Sequence, residues 1–302
     1  MKTPNKIAFV GLGQMGLPFA CNLVAAGFHV TGFDTAEPAR QAFVSGGGDV
    51  ARDAAQAVRD AEIVITMLPD GEVVRAFLSA PDLRAALKPG AIIIDMSSSE
   101  PIGTRTLGKS LQQQGFRFID APVSGGVRRA REGTVAVIAG GDSADVNAVR
   151  HVLLAIGNKV FEMGPLGSGH AVKALNNYVS AAGLQAASEA LIVAQTFGID
   201  ADAFIEVLNA STGRNNSTET KLKPFILSGN FASGFSLSLM AKDIHTAENL
   251  AQSLKVSLPG LDAAANFWDQ AAHLSSADAD HTEIYKFIRD TINAGLPKSD
   301  VS

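Results

Sequence analysis

The chain has 302 residues, 46% of them hydrophobic and 18% charged, enough for one large or two ordinary domains with a sizeable core and too apolar for a disordered chain. A formal net charge of -5 leaves no basic footprint for nucleic acid, so an anionic substrate has to be drawn in by local charge. The single cysteine, Cys21, excludes an intrachain disulfide and a cysteine metal cage. Placed at an apolar helical position, it reads as a small core residue.

The N-terminus, MKTPNK, runs without a signal-like apolar region into a strand-like segment, KIAFVG (6–11). GLGQMG follows, then an amphipathic helix from Met15 to Ala26 stopped by Gly27, then a second strand, HVTGFD, closing on Asp34. A glycine triplet of this kind is weak alone, but strand, glycine turn, helix and strand with a terminal acid is the context a dinucleotide fold requires. Gly11 makes the tight turn, Gly13 lets the backbone approach a pyrophosphate and Gly16 allows close packing of helix on strand. The intervening Leu12, Gln14 and Met15 lie in the same cofactor loop, and the helix N-terminus offers N–H groups to the phosphates. Asp34 suits the ribose hydroxyls and repels a 2′-phosphate, which favours NAD over NADP, although Arg40 lies close enough in sequence to reach round.

Further strands are expected at 62–69, 91–98, 117–126, 134–142 and 159–164, with helices at 53–60, 102–114 and 143–155. This alternation predicts a mostly parallel sheet with ligands off the carboxyl ends of its strands. Three strand exits, Leu68-Pro69, Ser97-Ser98 and Ser124-Gly125-Gly126, are expected at the edge that the first glycine loop occupies. Near residue 165 the alternation stops and only helical patterns follow, so the expected domains are 1–165, a Rossmann-type nucleotide-binding domain, and 166–302, an all-helical substrate and oligomerisation domain, joined by a long helix.

That helix (164–198) reads as apolar around most of its circumference and buried on nearly all sides. Its first turns carry Lys173, Asn176 and Asn177 on one face, with Lys173 open between snorkelling to water and a placement for chemistry, after a glycine-rich lead-in (Gly167, Gly169) expected to bring it close to bound ligands. Its polar residues, among them Glu189, argue against a membrane span, and a cytoplasmic protein is expected. A further helix is expected after an Asp200 cap, then TETKLKPFIL interrupted by Pro224, then helices around 238–255, 258–274 and 281–293. The tail, GLPKSDVS, is expected to fray. The polar segment 211–217 is first a loop and capping region, and is also a candidate specificity loop through Arg214 or Asn215. His170 is open between lining a site and a capping or surface role. The remaining histidines are scattered, without metal-ligand spacing.

GLGQMG, DAPVSGG (120–126), GSGHAVKALNN (167–177) and Lys242-Asp243 together resemble the β-hydroxyacid dehydrogenases, which include 3-hydroxyisobutyrate dehydrogenase, tartronate semialdehyde reductase and enzymes similar to 6-phosphogluconate dehydrogenase. The likeness covers essentially the whole chain in order. It implies NAD(P)-linked oxidation of a 3-hydroxy acid, or the reverse reduction, by a homodimer or homotetramer. By matching position it implies Lys173 as the catalytic lysine with Asn177 beside it, and Ser124, Gly125 and Gly126 as the loop that holds the substrate carboxylate. It also implies Leu68, Pro69, Ser98 and Lys242 as cofactor contacts, and Phe235 and Asp243 as further positions of the substrate site. The family often has threonine where Ser98 stands; serine keeps the hydroxyl and loses a methyl contact.

For the chemistry, Lys173 is expected as general acid/base. A free lysine has a pKa of about 10.4, so burial or a positive neighbour such as Lys242 must lower it for base work. Two other classes share the architecture: imine reductases, against which Lys173 argues, and a non-catalytic NAD-binding module, against which the intact lysine argues equally.

Overall fold

The computed structural model describes residues 6–295; of the tail expected at 295–302, Gly295 ends the last helix and 296–302 lie outside the described residues. Two compact units divide between Lys173 and Ala174, and α9, Ser168–Phe197, runs through the division as one 30-residue helix.

In the first unit the strands are β1 (Lys6–Val10), β2 (His29–Phe33), β3 (Asp49–Val50), β4 (Ile63–Thr66), β5 (Ile92–Asp95) and β6 (Arg117–Asp120). They form one sheet in the order β3-β2-β1-β4-β5-β6, every pair parallel. β4 and β5 are buried along their whole length, which is why IVIT and IIID show no polar alternation. The helices are α1 (Gly16–Ala25), α2 (Glu37–Ser45), α3 (Ala54–Val58), α4 (Gly71–Ser79), α5 (Pro81–Ala86), α6 (Pro101–Gln112), α7 (Gly126–Arg131) and α8 (Ser143–Ile156). Asp53, Asp70 and Asp142 cap α3, α4 and α8 by accepting first-turn N–H groups, each such cap worth about 1 kcal/mol. The strand order reverses direction between β1 and β4, the switch point where open α/β sheets bind ligands.

The segment expected as one strand at 117–126 is two. β6 ends at Asp120, and β7 (Val123–Ser124) belongs to a separate three-stranded sheet, β7-β8-β9, with β8 (Val135–Ala139) and β9 (Gly157–Glu162). β7 runs antiparallel to β8, so the Ser124 exit does not share the edge of the parallel sheet. An antiparallel bridge between Asp120 and Gly140 links the two sheets.

The second unit is helical. After α9 come α10 (Ala201–Ala210), capped by Asp200, α11 (Asn216–Thr220), a π-helical stretch at Leu222–Leu227 around Pro224, α12 (Leu237–Ser253), α13 (Pro259–Leu274), a 3-10 turn at His281–Glu283 and α14 (Ile284–Gly295). Its core gathers Leu184, Leu191, Leu237, Ile244 and Trp268, the last with no exposed surface. The expectation that α9 is buried on nearly all sides is not met within one chain. Val179, Val193 and Phe197 are 67%, 68% and 83% exposed, and with Leu175 their spacing of four, fourteen and four puts them on one stripe.

Candidate functional site

The glycine loop is fixed by how little room it has. A Cβ on Gly11, whose φ is +97°, would stand 2.1 Å from the Met67 carbonyl oxygen, and one on Gly16 would stand 1.8 Å from that of Gly11. At Gly13 a Cβ would meet nothing within 4 Å. Gly11 and Gly16 therefore close the turn upon strand and helix, while Gly13 and Gln14 stay exposed beside half-buried Met15 and buried Leu12. No side chain caps α1 at Met15, unlike α3, α4 and α8; in its first turn the Leu17 N–H donates to the Gly13 carbonyl at 3.0 Å, and Pro18 has no N–H. An open glycine in front of an uncapped helix start fits a dinucleotide pyrophosphate.

Asp34 follows β2 and closes the loop from the side. Its carboxylate accepts the N–H of Leu12 at 2.7 Å and of Ala36 at 2.8 Å. Arg40 is turned onto the Asp34 and Thr35 carbonyls at 2.6 and 3.1 Å and toward Glu37 at 3.4 Å. Leu68 and Pro69 leave β4 next to the loop: a Cβ on Gly11 would lie 3.2 Å from Leu68 Cδ2, and the Leu68 N–H donates to Ser97 Oγ at 2.9 Å. Ser98 is half-buried at the neighbouring exit of β5. The structure thus brings the glycine loop, Asp34, Leu68, Pro69 and Ser98 to one edge.

Ser124, Gly125 and Gly126 form the turn from β7 into α7. Gly125 and Gly126 have φ of +146° and +72°, conformations that a side chain disfavours. Arg129 folds back on this turn, its Cδ 2.9 Å from where a Gly125 Cβ would be, adding a positive neighbour that the sequence reading did not single out.

Sequence reading also missed a buried polar cluster at the ends of β5 and β6. Asp95 accepts from Thr66 Oγ1 (2.9 Å), Ser97 N (3.0 Å) and Ser99 Oγ (2.6 Å). Asp120 accepts the N–H of Gly167 at 2.6 Å and of His170 at 2.7 Å. Burial pushes the Asp120 carboxyl above its ordinary range, opposed by the His170 charge and by these two N–H groups. His170 is only 1% exposed, which removes the capping and surface alternatives, and its ring meets Thr104 Oγ1 at 2.9 Å. A Cβ on Gly169 would lie 2.2 Å from the Ile138 carbonyl oxygen, and Gly167 has φ of +87°. The glycine-rich lead-in to α9 accordingly serves close packing on protein, where a close approach to ligands was expected.

Lys173 lies half-buried on α9. One turn further along, Asn177 is buried and donates to Asp243 Oδ2 on α12 at 2.6 Å, while its amide oxygen accepts from exposed Asn176 at 3.2 Å. Asp243 Oδ1 lies 3.6 Å from Lys242 Nζ. Phe235 precedes α12 and meets His281 edge-on at 5.8 Å. Its position follows from Asp280, which accepts from Ser233 Oγ (2.9 Å), Gly234 N (2.9 Å), Thr282 N (2.9 Å) and Thr282 Oγ1 (2.6 Å). Burial raises the Asp280 pKa, but hydrogen bonds from His281 and Thr282 outweigh it and hold the carboxyl well below the usual range.

In the 211–217 segment the Asn215 side chain accepts the N–H of Ser217 and Thr218, a capping box completed by Thr218 Oγ1. Arg214 turns toward Glu219 at 3.7 Å. A cavity of about 140 Å³ lies between Asn215, Asn216 and Ser217 and the α9 residues Asn176, Val179, Ser180 and Gly183. Glu189 pairs along its own helix with Gln185 at 2.9 Å. Among the described residues no group of three or more His, Cys, Asp or Glu side chains could hold a metal ion, and no helix is long and apolar enough to cross a membrane.

Two family models match nearly end to end: the NAD binding domain of 6-phosphogluconate dehydrogenase over residues 6–164, and the NAD-binding domain of NADP-dependent 3-hydroxyisobutyrate dehydrogenase over 167–288. The 2-(hydroxymethyl)glutarate dehydrogenase of Eubacterium barkeri is 32% identical over 287 residues, 95% of each chain. A solved 3-hydroxyisobutyrate dehydrogenase of Mycobacterium tuberculosis with L-serine is 35% identical, covering 95% of this chain and 99% of that one, with a TM-score of 0.88. An imine reductase from Myxococcus stipitatus in complex with NAD+ is more distant, 18% identical with a TM-score of 0.65 over 95% of this chain and 100% of that one, a likeness of fold alone. The chain belongs to the β-hydroxyacid dehydrogenase family and is a nicotinamide-dependent oxidoreductase of hydroxy acids.

Proposed function

We propose that the protein interconverts a 3-hydroxy acid and its semialdehyde or keto acid, prefers NAD to NADP, and uses Lys173 as general acid/base. The observation that carries the chemistry is on α9: Lys173 stands one turn before Asn177, whose amide is fixed by Asp243 at 2.6 Å. The nicotinamide supplies the hydride acceptor or donor. In oxidation the carbinol C–H bond gives up its hydride, and the hydroxyl proton passes to the Lys173 amine. In reduction the Lys173 ammonium polarises the carbonyl oxygen and returns that proton. The Gly125 and Gly126 N–H groups and the Ser124 hydroxyl hold the substrate carboxylate. Phe235 and Asp243 border the substrate, and Leu12, Gln14, Met15, Leu68, Pro69, Ser98 and Lys242 contact the cofactor.

The preference for NAD rests on Asp34. Backbone N–H groups on both of its oxygens hold the carboxylate in place, where its charge repels a 2′-phosphate, and Arg40 is engaged with main-chain carbonyls. The cavity beside 215–217 presents a mainly apolar surface, with Val179 and Gly183 beside the amide and hydroxyl residues and no charged residue in its lining, and suits a short neutral substituent on the acid. The reading includes a homodimer or homotetramer, for which the exposed stripe on α9 is the supporting feature. The test is a panel of 3-hydroxy acids, including 3-hydroxyisobutyrate, serine, glycerate and 3-hydroxypropionate, assayed with each dinucleotide. Turnover of at least one with NAD ahead of NADP is expected; tight cofactor binding without turnover of any would sink the proposal.

A further inference from the structure

We infer that His170, Asp95 and Asp120 form a buried charge cluster that anchors the first turn of α9 to the ends of β5 and β6, making His170 a positioning residue for Lys173. The inference rests on Lys173 being the acid/base. The Thr104 hydroxyl proton is used on the Glu100 carbonyl at 3.0 Å, so His170 Nδ1 is the donor in its 2.9 Å bond to Thr104 Oγ1. The other ring nitrogen, Nε2, is buried without a hydrogen-bond partner and lies 3.7 Å from Asp95 Oδ2, while Nδ1 lies 3.7 Å from Asp120 Oδ2. A neutral ring would leave a buried lone pair facing a carboxylate. A proton on Nε2 gives an imidazolium between two carboxylates that are 1% and 0% exposed.

His170 stands within 4 Å of both acids, each ring nitrogen 3.7 Å from a carboxylate oxygen. The side chains that bond the three, Thr66, Ser99 and Thr104, are uncharged hydroxyls. Two buried carboxylates without a counter-charge are costly, and a charged His170 between them offsets that cost and keeps their N–H partners in place. Those partners define the site. Asp120 holds Gly167 and His170, six and three residues before Lys173, and Asp95 holds Ser97, whose Oγ receives the Leu68 N–H. One network therefore ties two cofactor-side strand exits to the helix that carries the lysine. Small displacements of a reacting group cost turnover steeply.

The experiment compares His170→Gln, Lys173→Ala and the double variant in full-length protein, reading kcat, KM for both substrates and the pH profile of kcat. His170→Gln is expected to lower kcat roughly 10- to 100-fold, with a displaced pH inflection. In the Lys173→Ala background it should cost little more, since no lysine remains to be misplaced. An inactive Lys173→Ala beside a His170→Gln with unchanged kcat and pH profile would overturn the anchor alone. Near-normal turnover of Lys173→Ala would overturn the acid/base reading instead. Nitrogen NMR of the wild-type imidazole serves even if His170→Gln fails to fold: both ring nitrogens protonated near neutral pH supports the cluster, and a neutral ring refutes it.

Discussion

Replacing each glycine of the cofactor loop by alanine separates packing from binding, because the three sites differ so sharply in the space they offer. At Gly13 the added methyl meets nothing within 4 Å. The protein without dinucleotide should fold normally, its stability changed by less than about 1 kcal/mol and if anything raised by the stiffer unfolded chain. Bound dinucleotide is another matter, since the methyl stands where the backbone has to approach the pyrophosphate. Losing one charge-assisted N–H contact costs roughly 1.5–3 kcal/mol, so NAD affinity should fall about 10- to 100-fold, at 1.4 kcal/mol per factor of ten. Gly11→Ala and Gly16→Ala put a methyl 2.1 and 1.8 Å from a carbonyl oxygen, and should lower the melting temperature or abolish soluble expression. The assay is calorimetric melting without ligand, followed by titration with NADH. A Gly13→Ala protein that binds NADH as wild type does, or a Gly16→Ala protein that melts normally, would refute the assignment of roles within the loop.

Asp34→Asn removes the carboxylate while keeping a side-chain oxygen for Leu12 or Ala36. At an effective dielectric of about 20 and a separation of about 6 Å, repulsion of one phosphate charge is roughly 2–3 kcal/mol, reduced by the half-exposure of the site. The kcat/KM ratio of NAD to NADP should therefore fall about tenfold, and less at high salt; an unchanged ratio would contradict the role given to Asp34. Asp280→Asn should destabilise the helical unit by about 2–4 kcal/mol. The wild-type carboxyl has its pKa lowered by folding, so its contribution is present above the unfolded value of about 3.9 and is lost as pH falls toward the folded one. Melting curves against pH should show this acid-side loss in the wild type and not in Asp280→Asn. Asp120 has the opposite sign: its raised folded pKa makes ionisation cost stability as pH rises above the ordinary carboxylate range. Without the His170 charge that cost grows, and the melting deficit of His170→Gln should widen from acidic to neutral pH.

The parts of the site legible in the sequence were those built from local pattern. KIAFVG-LGQMG and HVTGFD announce a glycine turn between parallel strands because backbone geometry requires glycine there, and Asp34 falls at the strand end by simple counting. Asp200 as a cap for α10 was equally visible. What stayed hidden depended on distant partners. Nothing near His170 in the chain reveals Asp95 and Asp120, which reach it only because β5 and β6 end side by side. For the same reason Gly167 and Gly169 resembled a ligand approach, although their close neighbours are Asp120 and the Ile138 carbonyl. The stripe on α9 was read as core because composition records apolarity and not which face meets a neighbour. The break at Pro122 within 117–126, which passes the chain into a second sheet, was masked by apolar residues on both sides.

The central claim is that Lys173 moves the proton while hydride passes between substrate and nicotinamide. It is tested most directly by single-turnover oxidation of the preferred 3-hydroxy acid by Lys173→Ala with saturating NAD, beside wild type. The account predicts NADH formation slowed at least 100-fold, NAD affinity within about twofold of wild type, and partial rescue by added primary amines. Hydride transfer at the wild-type rate in Lys173→Ala would contradict it.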